Sequence, residues 1–208
     1  MIDPATPIEA VPLAVVDVET TGLNPQTGDR VCEIAVLRVD PSDEPRLFAS
    51  LVNPGRPISS GARAVNGIAD HEVADAPQFG ALITQINAGL EGAVLVAHNA
   101  PFDLGFLRAE YRIAETQLPP ISVLDTLALA RSCFQFPRNS LEAVAWQLGV
   151  EAKGLHRAEG DVWATYHVLQ RMIAQLREFD CHTLGDFLAA HRSLPFDRTI
   201  EPGFPRYA

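Results

Sequence analysis

The chain has 208 residues, of which 47% are hydrophobic and 20% are charged, and its formal net charge is −10. This length and this composition predict one globular domain that can bury its own core, with short terminal appendages. The strong negative charge argues against a protein that wraps nucleic acid electrostatically. It remains compatible with a protein that holds a few nucleotides through bound cations.

The cysteines and the N-terminus exclude further classes. Cys32, Cys133 and Cys181 are widely spaced and form no CxxC pair, so neither a disulfide framework nor a thiolate zinc site is expected. Residues 1–12 lack the basic and apolar regions of a signal peptide, and no apolar stretch approaches the roughly 20 residues of a membrane span. We therefore expect a protein of the reducing cytoplasm without a membrane partner.

The predicted strands come first along the chain. Short runs rich in valine and other apolar residues predict five strands, at 13–18, 31–39, 46–52, 93–97 and 121–124. The turn-forming segment 40–45 joins the second and third strands as an antiparallel hairpin. Three antiparallel strands followed by strand–helix alternation predict an α/β fold in which helices cover a mixed five-stranded sheet.

Helical patterns follow the strands. They predict helices at 59–66, 77–90, from Pro101 onward, 125–131, 139–148, 157–179 and 183–192. Asp125 is expected to cap one of these helices, and Asn139 with Glu142 fits a capping box for another. The resulting division is a loose lead-in at 1–12, a domain at 13–180, and a short helix with an extended tail at 181–208.

Asp17 and Glu19 lie two residues apart near the end of the first predicted strand. Strand alternation places both carboxylates on one face, roughly 6–7 Å apart. Each carboxylate resists ionisation beside the other, and a divalent cation would remove that penalty. Oxygen ligands of this kind favour Mg²⁺ or Mn²⁺ over Zn²⁺. The alternative is a pair of solvated acids at a strand end.

Asp103 begins a predicted helix beside Phe102 and Phe106. A carboxylate on the packed side of a helix is costly unless it is paired or bound to a metal. An acid in the first turn of a helix is also stabilised by the helix dipole alone. Both interpretations stay open from the residues themselves.

His156 and Asp161 are five residues apart, which on one helix means directions that differ by about 140°. The two can serve one site only if His156 precedes the helix, and Gly154 makes that break plausible. A neutral imidazole there could take a proton from an attacking water, although a surface or capping histidine is the alternative. His98 competes as a base, but we expect it to hold the neighbouring turn with Asn99.

Together these blocks resemble the DEDDh group of 3′–5′ exonucleases, which includes the proofreading epsilon subunit of bacterial DNA polymerase III, ribonuclease T and oligoribonuclease. The resemblance covers about residues 11–178. It rests on Asp17-x-Glu19-Thr20-Thr21-Gly22-Leu23, His98-Asn99-x-x-Phe102-Asp103 and His156-x4-Asp161. Histidine in the third block separates this group from a sister group with tyrosine. The resemblance implies a ribonuclease H-like fold of three layers.

The resemblance also implies roles for single residues. Asp17 would be shared by two Mg²⁺ or Mn²⁺ ions, Glu19 and Asp161 would complete the ligands of the first, and Asp103 would hold the second. His156 would be the general base that acts on the attacking water. The terminal nucleotide would be contacted by Thr20, Leu23, Asn99 and Phe102. One departure is visible, because Asn66 stands where epsilon-like members carry a histidine that can touch the substrate. Asn66 can still donate a hydrogen bond, so we expect it to contact the substrate as well.

The resemblance implies release of nucleoside 5′-monophosphates from the 3′ end of single-stranded or frayed DNA. An exoribonuclease or oligoribonuclease, and a degenerate module that only binds within a polymerase complex, are the alternatives. A phosphatase of the Asp-x-Asp-x-Thr type is disfavoured because the lone Lys153 lacks an acidic pair nearby. Residues 191–196 faintly resemble peptides that dock on sliding clamps, which would make a clamp or a DNA polymerase a partner.

Overall fold

The structure, a computed structural model, describes residues 2–190. Its centre is a five-stranded sheet formed by β1 (Leu13–Thr20), β2 (Val31–Val39), β3 (Arg46–Leu51), β4 (Val94–Ala97) and β5 (Ser122–Asp125). The strand order is β3-β2-β1-β4-β5. The first three strands are antiparallel, whereas β4 and β5 run parallel to β1. The predicted mixed sheet is confirmed.

Eight α-helices occur within the described residues. They are α1 (Ser60–Asn66), α2 (Asp70–Val73), α3 (Phe79–Leu90), α4 (Ala100–Ile113), α5 (Thr126–Cys133), α6 (Leu141–Gln147), α7 (Ala158–Leu176) and α8 (Leu184–Ala190). The single-turn α2 was not predicted. The N-cap of α6 is Ser140, whose side chain accepts the Ala143 N–H, so the capping box predicted from Asn139 is wrong by one residue.

The helices cover the sheet on both faces and produce two large hydrophobic cores, beside a third, small cluster within the described residues. Ala14, Val16 and Val18 of β1 belong to the core formed with α3 and α4. Leu13 and Val15 belong to the core formed with α5, α6 and α7. Because side chains alternate along a strand, Asp17 and Glu19 follow Val15 onto the face that α7 covers.

The two ends of the described chain are joined. Leu184 N–H donates to Thr6 O over 2.9 Å, and Ile8 N–H donates to His182 O over 2.9 Å. The Ile8 side chain is buried in the core beneath α7. The prediction of a loose lead-in at 1–12 is therefore corrected, since Ile8 anchors this segment by apolar burial. The segment 191–196 lies outside the described residues.

The sheet leaves the end of β1 open on one side. β4 pairs with β1 only along Leu13–Val15, whereas β2 pairs with β1 as far as Thr20. The carboxyl end of β1 thus borders a cleft beyond the end of β4. Across residues 2–190, no helix combines the length and the apolarity that a membrane crossing needs.

Candidate active site

Three carboxylates converge at the end of β1. Asp17 and Glu19 project from the strand, and Asp161 comes from the first turn of α7, which packs against β1 and β2. One oxygen of each carboxylate lies within 4.8 Å of the others. We call these three residues the carboxylate cluster. They were predicted to share one site, and the structure brings them together.

The carboxylate cluster is electrostatically costly without a cation. Burial, and then the charges of Asp103 and Asp161, raise the pKa of Asp17 well above its usual range. Burial and the neighbouring carboxylates raise the pKa of Glu19 to about 8. Burial raises the pKa of Asp161 to about 6, although the backbone N–H and the ring of His156 act in the opposite direction.

An unpartnered oxygen atom also indicates that a cation binds to the carboxylate cluster. Oδ1 of Asp161 is buried and has no hydrogen-bond partner among the described residues. A buried carboxylate oxygen is rarely left in this state unless an ion or water completes it. Hard oxygen donors at this spacing suit Mg²⁺ or Mn²⁺. The carboxylate cluster therefore fits a divalent cation.

Asp103 reaches the site from α4, which covers the face of the sheet opposite α7. It is buried in the first turn of α4, and its Oδ1 accepts the Val18 N–H over 3.2 Å. Val18 lies beyond the last residue of β1 that pairs with β4, so its N–H needs another acceptor. Asp103 lies outside the carboxylate cluster, yet its charge raises the pKa of Asp17 more than any other neighbour does.

His156 lies off the helix that carries Asp161. Its φ of 68° is left-handed, Arg157 is the N-cap, and α7 begins at Ala158. The requirement set by the five-residue spacing is therefore met. The His156 side chain is exposed and lines the cleft together with Asp161. An accessible imidazole beside a carboxylate cluster can take a proton from water.

His98 is not available as a competing base. Its Nε2 lies 2.8 Å from Asn139 O and its Nδ1 lies 2.9 Å from Thr126 Oγ1. A carbonyl only accepts, so Nε2 carries the proton and Nδ1 accepts from the threonine hydroxyl. Burial lowers the pKa of His98 and keeps this ring neutral. His98 therefore holds the end of β4 in place.

The cleft above the carboxylate cluster has a volume of about 710 Å³. Of the residues expected to contact a nucleotide, Thr20, Leu23 and Phe102 line it. Leu23 is 85% exposed at the rim. The Thr20 hydroxyl donates to Gly22 O over 2.6 Å, which shapes the turn that carries Leu23.

Two predicted contact residues are used differently. Asn66 borders the cleft but is buried, and its Nδ2 donates to Thr20 O over 3.3 Å while its Oδ1 accepts the Ile68 N–H. Asn66 therefore supports the Thr20 turn from the wall of the cleft. Asn99 lies outside the cleft lining, and its N–H donates to Asp125 Oδ1 over 3.0 Å. Asp125 also caps α5, as predicted.

Glu33 and Arg157 were not predicted from the sequence as residues of the site. Glu33 pairs with Glu19 across β1 and β2, and Arg157 forms an ion pair with it over 2.6 Å. A signal was present, because Glu33 is a lone acid inside a strand whose neighbours are all apolar and buried. A buried charge of this kind needs a partner. Lys153, in contrast, pairs with Glu151 at an exposed position.

The raised pKa values predict how stability depends on pH. A carboxyl whose folded pKa is raised stabilises the fold at low pH, and this contribution disappears as pH rises through the folded pKa. For Glu19 the window runs from 4.5 to about 8, and for Asp161 from 3.8 to about 6. The Tm of the metal-free protein should therefore fall between pH 5.5 and pH 8.5.

Divalent cations should counteract this fall of Tm at high pH. Saturating Mg²⁺ or Mn²⁺ is expected to raise Tm by about 5 °C or more at pH 8, and by less at pH 5.5. Differential scanning calorimetry at matched ionic strength, with Na⁺ in place of the divalent ion, measures the difference. Equal stabilisation at both pH values would contradict a cation held by the carboxylate cluster.

Comparison with known proteins places the chain in a family. The exonuclease model RNase_T matches residues 14–169. A DNA polymerase III subunit epsilon-like protein of Rhodobacter capsulatus is 39% identical over 193 residues, covering 90% of this chain and 27% of that protein. The DNA polymerase III subunit epsilon of Treponema pallidum is 34% identical over 180 residues, covering 85% of this chain and 83% of that subunit. The chain thus spans about a quarter of the first relative.

A solved structure agrees at the level of the fold. Exonuclease X in complex with 5′-overhanging duplex DNA superposes with a TM-score of 0.66 at 24% identity, covering 86% of this chain and 99% of that one. The ribonuclease H-like arrangement implied by the sequence motifs is confirmed. The chain therefore belongs to the RNase_T family of exonucleases, and the predicted membership of the DEDDh-type superfamily is confirmed.

Proposed function

We propose that this domain is a metal-dependent 3′–5′ exonuclease that releases nucleoside 5′-monophosphates. The observation that carries the proposal is the carboxylate cluster, with the unpartnered Asp161 Oδ1, beside the exposed His156. All five motif positions carry the acid or the histidine of the DEDDh group, which disfavours a degenerate binding module.

The carboxylates divide into two groups of metal ligands. Asp17, Glu19 and Asp161 would hold one Mg²⁺ or Mn²⁺ ion, and Asp17 with Asp103 would hold a second. Bound ions at such a site supply neutralisation of the charge on the scissile phosphate and on the oxygens that enter and leave it. The buried position of Asp103 on Val18 N–H fixes one edge of this arrangement.

His156 accepts the proton of the attacking water. The water oxygen forms a bond with the terminal phosphorus, and the bond from phosphorus to the 3′ oxygen of the penultimate nucleotide breaks. That 3′ oxygen takes a proton from solvent, and the terminal nucleotide departs with a 5′-phosphate. His156 precedes α7 in a left-handed backbone conformation and lines the cleft together with Asp161.

The substrate we propose is a single-stranded or frayed 3′ end of DNA. Leu23 is an exposed apolar side chain at the rim of the cleft, and Phe102 lines the same cleft. Such groups suit bases that have left the duplex stack. The epsilon-type relatives support DNA over RNA and a DNA polymerase as partner. A cytoplasmic site of action agrees with Cys32 and Cys133, which are buried as reduced thiols.

A substrate panel tests this proposal. The 5′-labelled oligonucleotides are single-stranded DNA, mismatched duplex DNA, single-stranded RNA and a dinucleotide, each with Mg²⁺ or Mn²⁺. We expect stepwise shortening from the 3′ end, fastest on DNA. Asp17→Ala should abolish it, while Glu142→Gln, which changes an exposed acid on α6, should not. Faster shortening of RNA would replace the DNA assignment, and equal shortening by Asp17→Ala would refute the site.

A further inference from the structure

An ion pair between the buried Glu33 and the half-exposed Arg157 lies directly beside the carboxylate cluster. The Glu33 carboxylate accepts from Arg157 Nη2 over 2.6 Å and from Arg157 Nε over 3.1 Å at both of its oxygens. Glu33 is only 6% exposed and faces Glu19 across the β1–β2 ladder. The guanidinium thus neutralises a buried carboxylate that would otherwise repel Glu19.

The same carboxylate fixes the start of α7. Glu33 Oε2 accepts the Ala158 N–H over 2.9 Å, so a residue of β2 supplies the N-terminal cap that the Arg157 side chain does not give. Asp161 N–H donates to Arg157 O in the first turn. Glu33 therefore anchors the point from which His156 projects on one side and Asp161 on the other.

The segment 153–157, which we call the histidine loop, needs such an anchor. His156 adopts a left-handed φ of 68°, which costs free energy in a non-glycine residue. In residues 2–190 no hydrogen bond to the His156 ring is formed by another side chain. The loop also packs closely on α7, because a Cβ at Gly160 would lie 2.1 Å from Gly154 O.

We propose that Glu33 and Arg157 are positioning residues that hold the histidine loop and the first turn of α7 in the arrangement required for catalysis. This inference rests on the proposed function. Arg157 acts through His156 and Asp161 and does not contact the substrate. Loss of the ion pair should therefore lower kcat and leave KM almost unchanged, since the rim residues that meet the nucleotide lie elsewhere in the cleft.

The test compares two ion pairs that each include one residue of β2, namely Glu33–Arg157 and Arg38–Asp40. Arg157→Gln, Arg157→Lys and Glu33→Gln break or weaken the pair near the cluster. Arg38→Gln breaks the Arg38–Asp40 pair at the other end of β2, where Nη2 and Oδ1 lie 2.6 Å apart. With saturating Mg²⁺, we expect kcat to fall by roughly 10–100-fold in Arg157→Gln, because small misplacement of a reacting group has large effects. Arg157→Lys should retain part of the activity, and Arg38→Gln should match the parent chain.

Two kinds of measurement, kinetics combined with Tm and nuclear magnetic resonance, decide whether the ion pair positions the histidine loop. A raised KM at unchanged kcat, or a lower Tm at unchanged kcat, would overturn the positioning role. Nuclear magnetic resonance of the His156 ring in the metal-free protein gives a result without turnover. Its signals should shift in Arg157→Gln and Glu33→Gln but not in Arg38→Gln, and unshifted signals would overturn the inference. If the parent chain itself shows no turnover, the proposed function fails, whereas the resonance result still decides the inference.

Discussion

Replacing Asp17 by asparagine should lower kcat by roughly 10³-fold or more and, at the same time, raise the Tm of the metal-free protein. The loss follows because metal-assisted charge stabilisation is worth several kcal/mol in the transition state, and Asp17 is at the centre of the proposed ligand set. The gain in Tm follows because burial and four neighbouring carboxylates raise the pKa of Asp17. An amide removes that repulsion without changing the volume.

Single-turnover rates and calorimetry at pH 8 measure the two effects. The stabilisation by Mn²⁺ should also largely disappear in Asp17→Asn. Asp40→Asn provides the matched control, because Asp40 lies at the far end of β2 and its pKa is lowered by Arg38, so its loss should lower Tm and leave turnover intact. A drop in both Tm and kcat in Asp17→Asn would indicate a structural carboxylate instead of a metal ligand.

Replacing His156 by alanine should lower kcat by roughly 10²–10⁴-fold while the affinity for Mn²⁺ changes little. The ring is exposed in the cleft and is not one of the carboxylate ligands. His98 cannot replace it, because both nitrogens of His98 are already hydrogen-bonded. Added imidazole should restore part of the activity of His156→Ala, since the removed side chain leaves an open position at the cleft.

Titration calorimetry with Mn²⁺ separates this role from metal binding. His71→Ala, which alters an exposed histidine on α2, should match the parent chain in both assays. Unchanged kcat in His156→Ala would remove this residue as the base. A parallel loss of Mn²⁺ affinity would instead assign it to the metal site.

The sequence predicted the sheet and most helices because the strands are continuous apolar runs and the helices carry clear apolar faces. β2 was predicted residue for residue as Val31–Val39. The short α2 was missed, since four residues carry too little periodicity to be recognised. The lead-in was misjudged because Ile8 packs against a part of the chain more than 170 residues away, which local pattern does not encode.

The candidate site was predictable to a similar extent. Strand parity placed Asp17 and Glu19 on one face, and helical geometry required His156 to precede α7. The alternation of side chains along a strand could not reveal that Asp103 accepts the Val18 N–H from α4. This contact depends on the point at which β4 stops pairing with β1. The hydrogen bond from the Asn66 amide to Thr20 O at the end of β1 joins residues 46 positions apart, so the local sequence pattern could not reveal it.

One product analysis tests the central claim most directly. Single-stranded DNA is incubated with the protein and Mg²⁺ in water enriched in ¹⁸O, and the released nucleotides are identified by mass spectrometry. Attack of water on the terminal phosphorus predicts nucleoside 5′-monophosphates that carry one ¹⁸O atom in the phosphate, with no release by Asp17→Asn. Nucleoside 3′-monophosphates, or release that continues in Asp17→Asn, would contradict it.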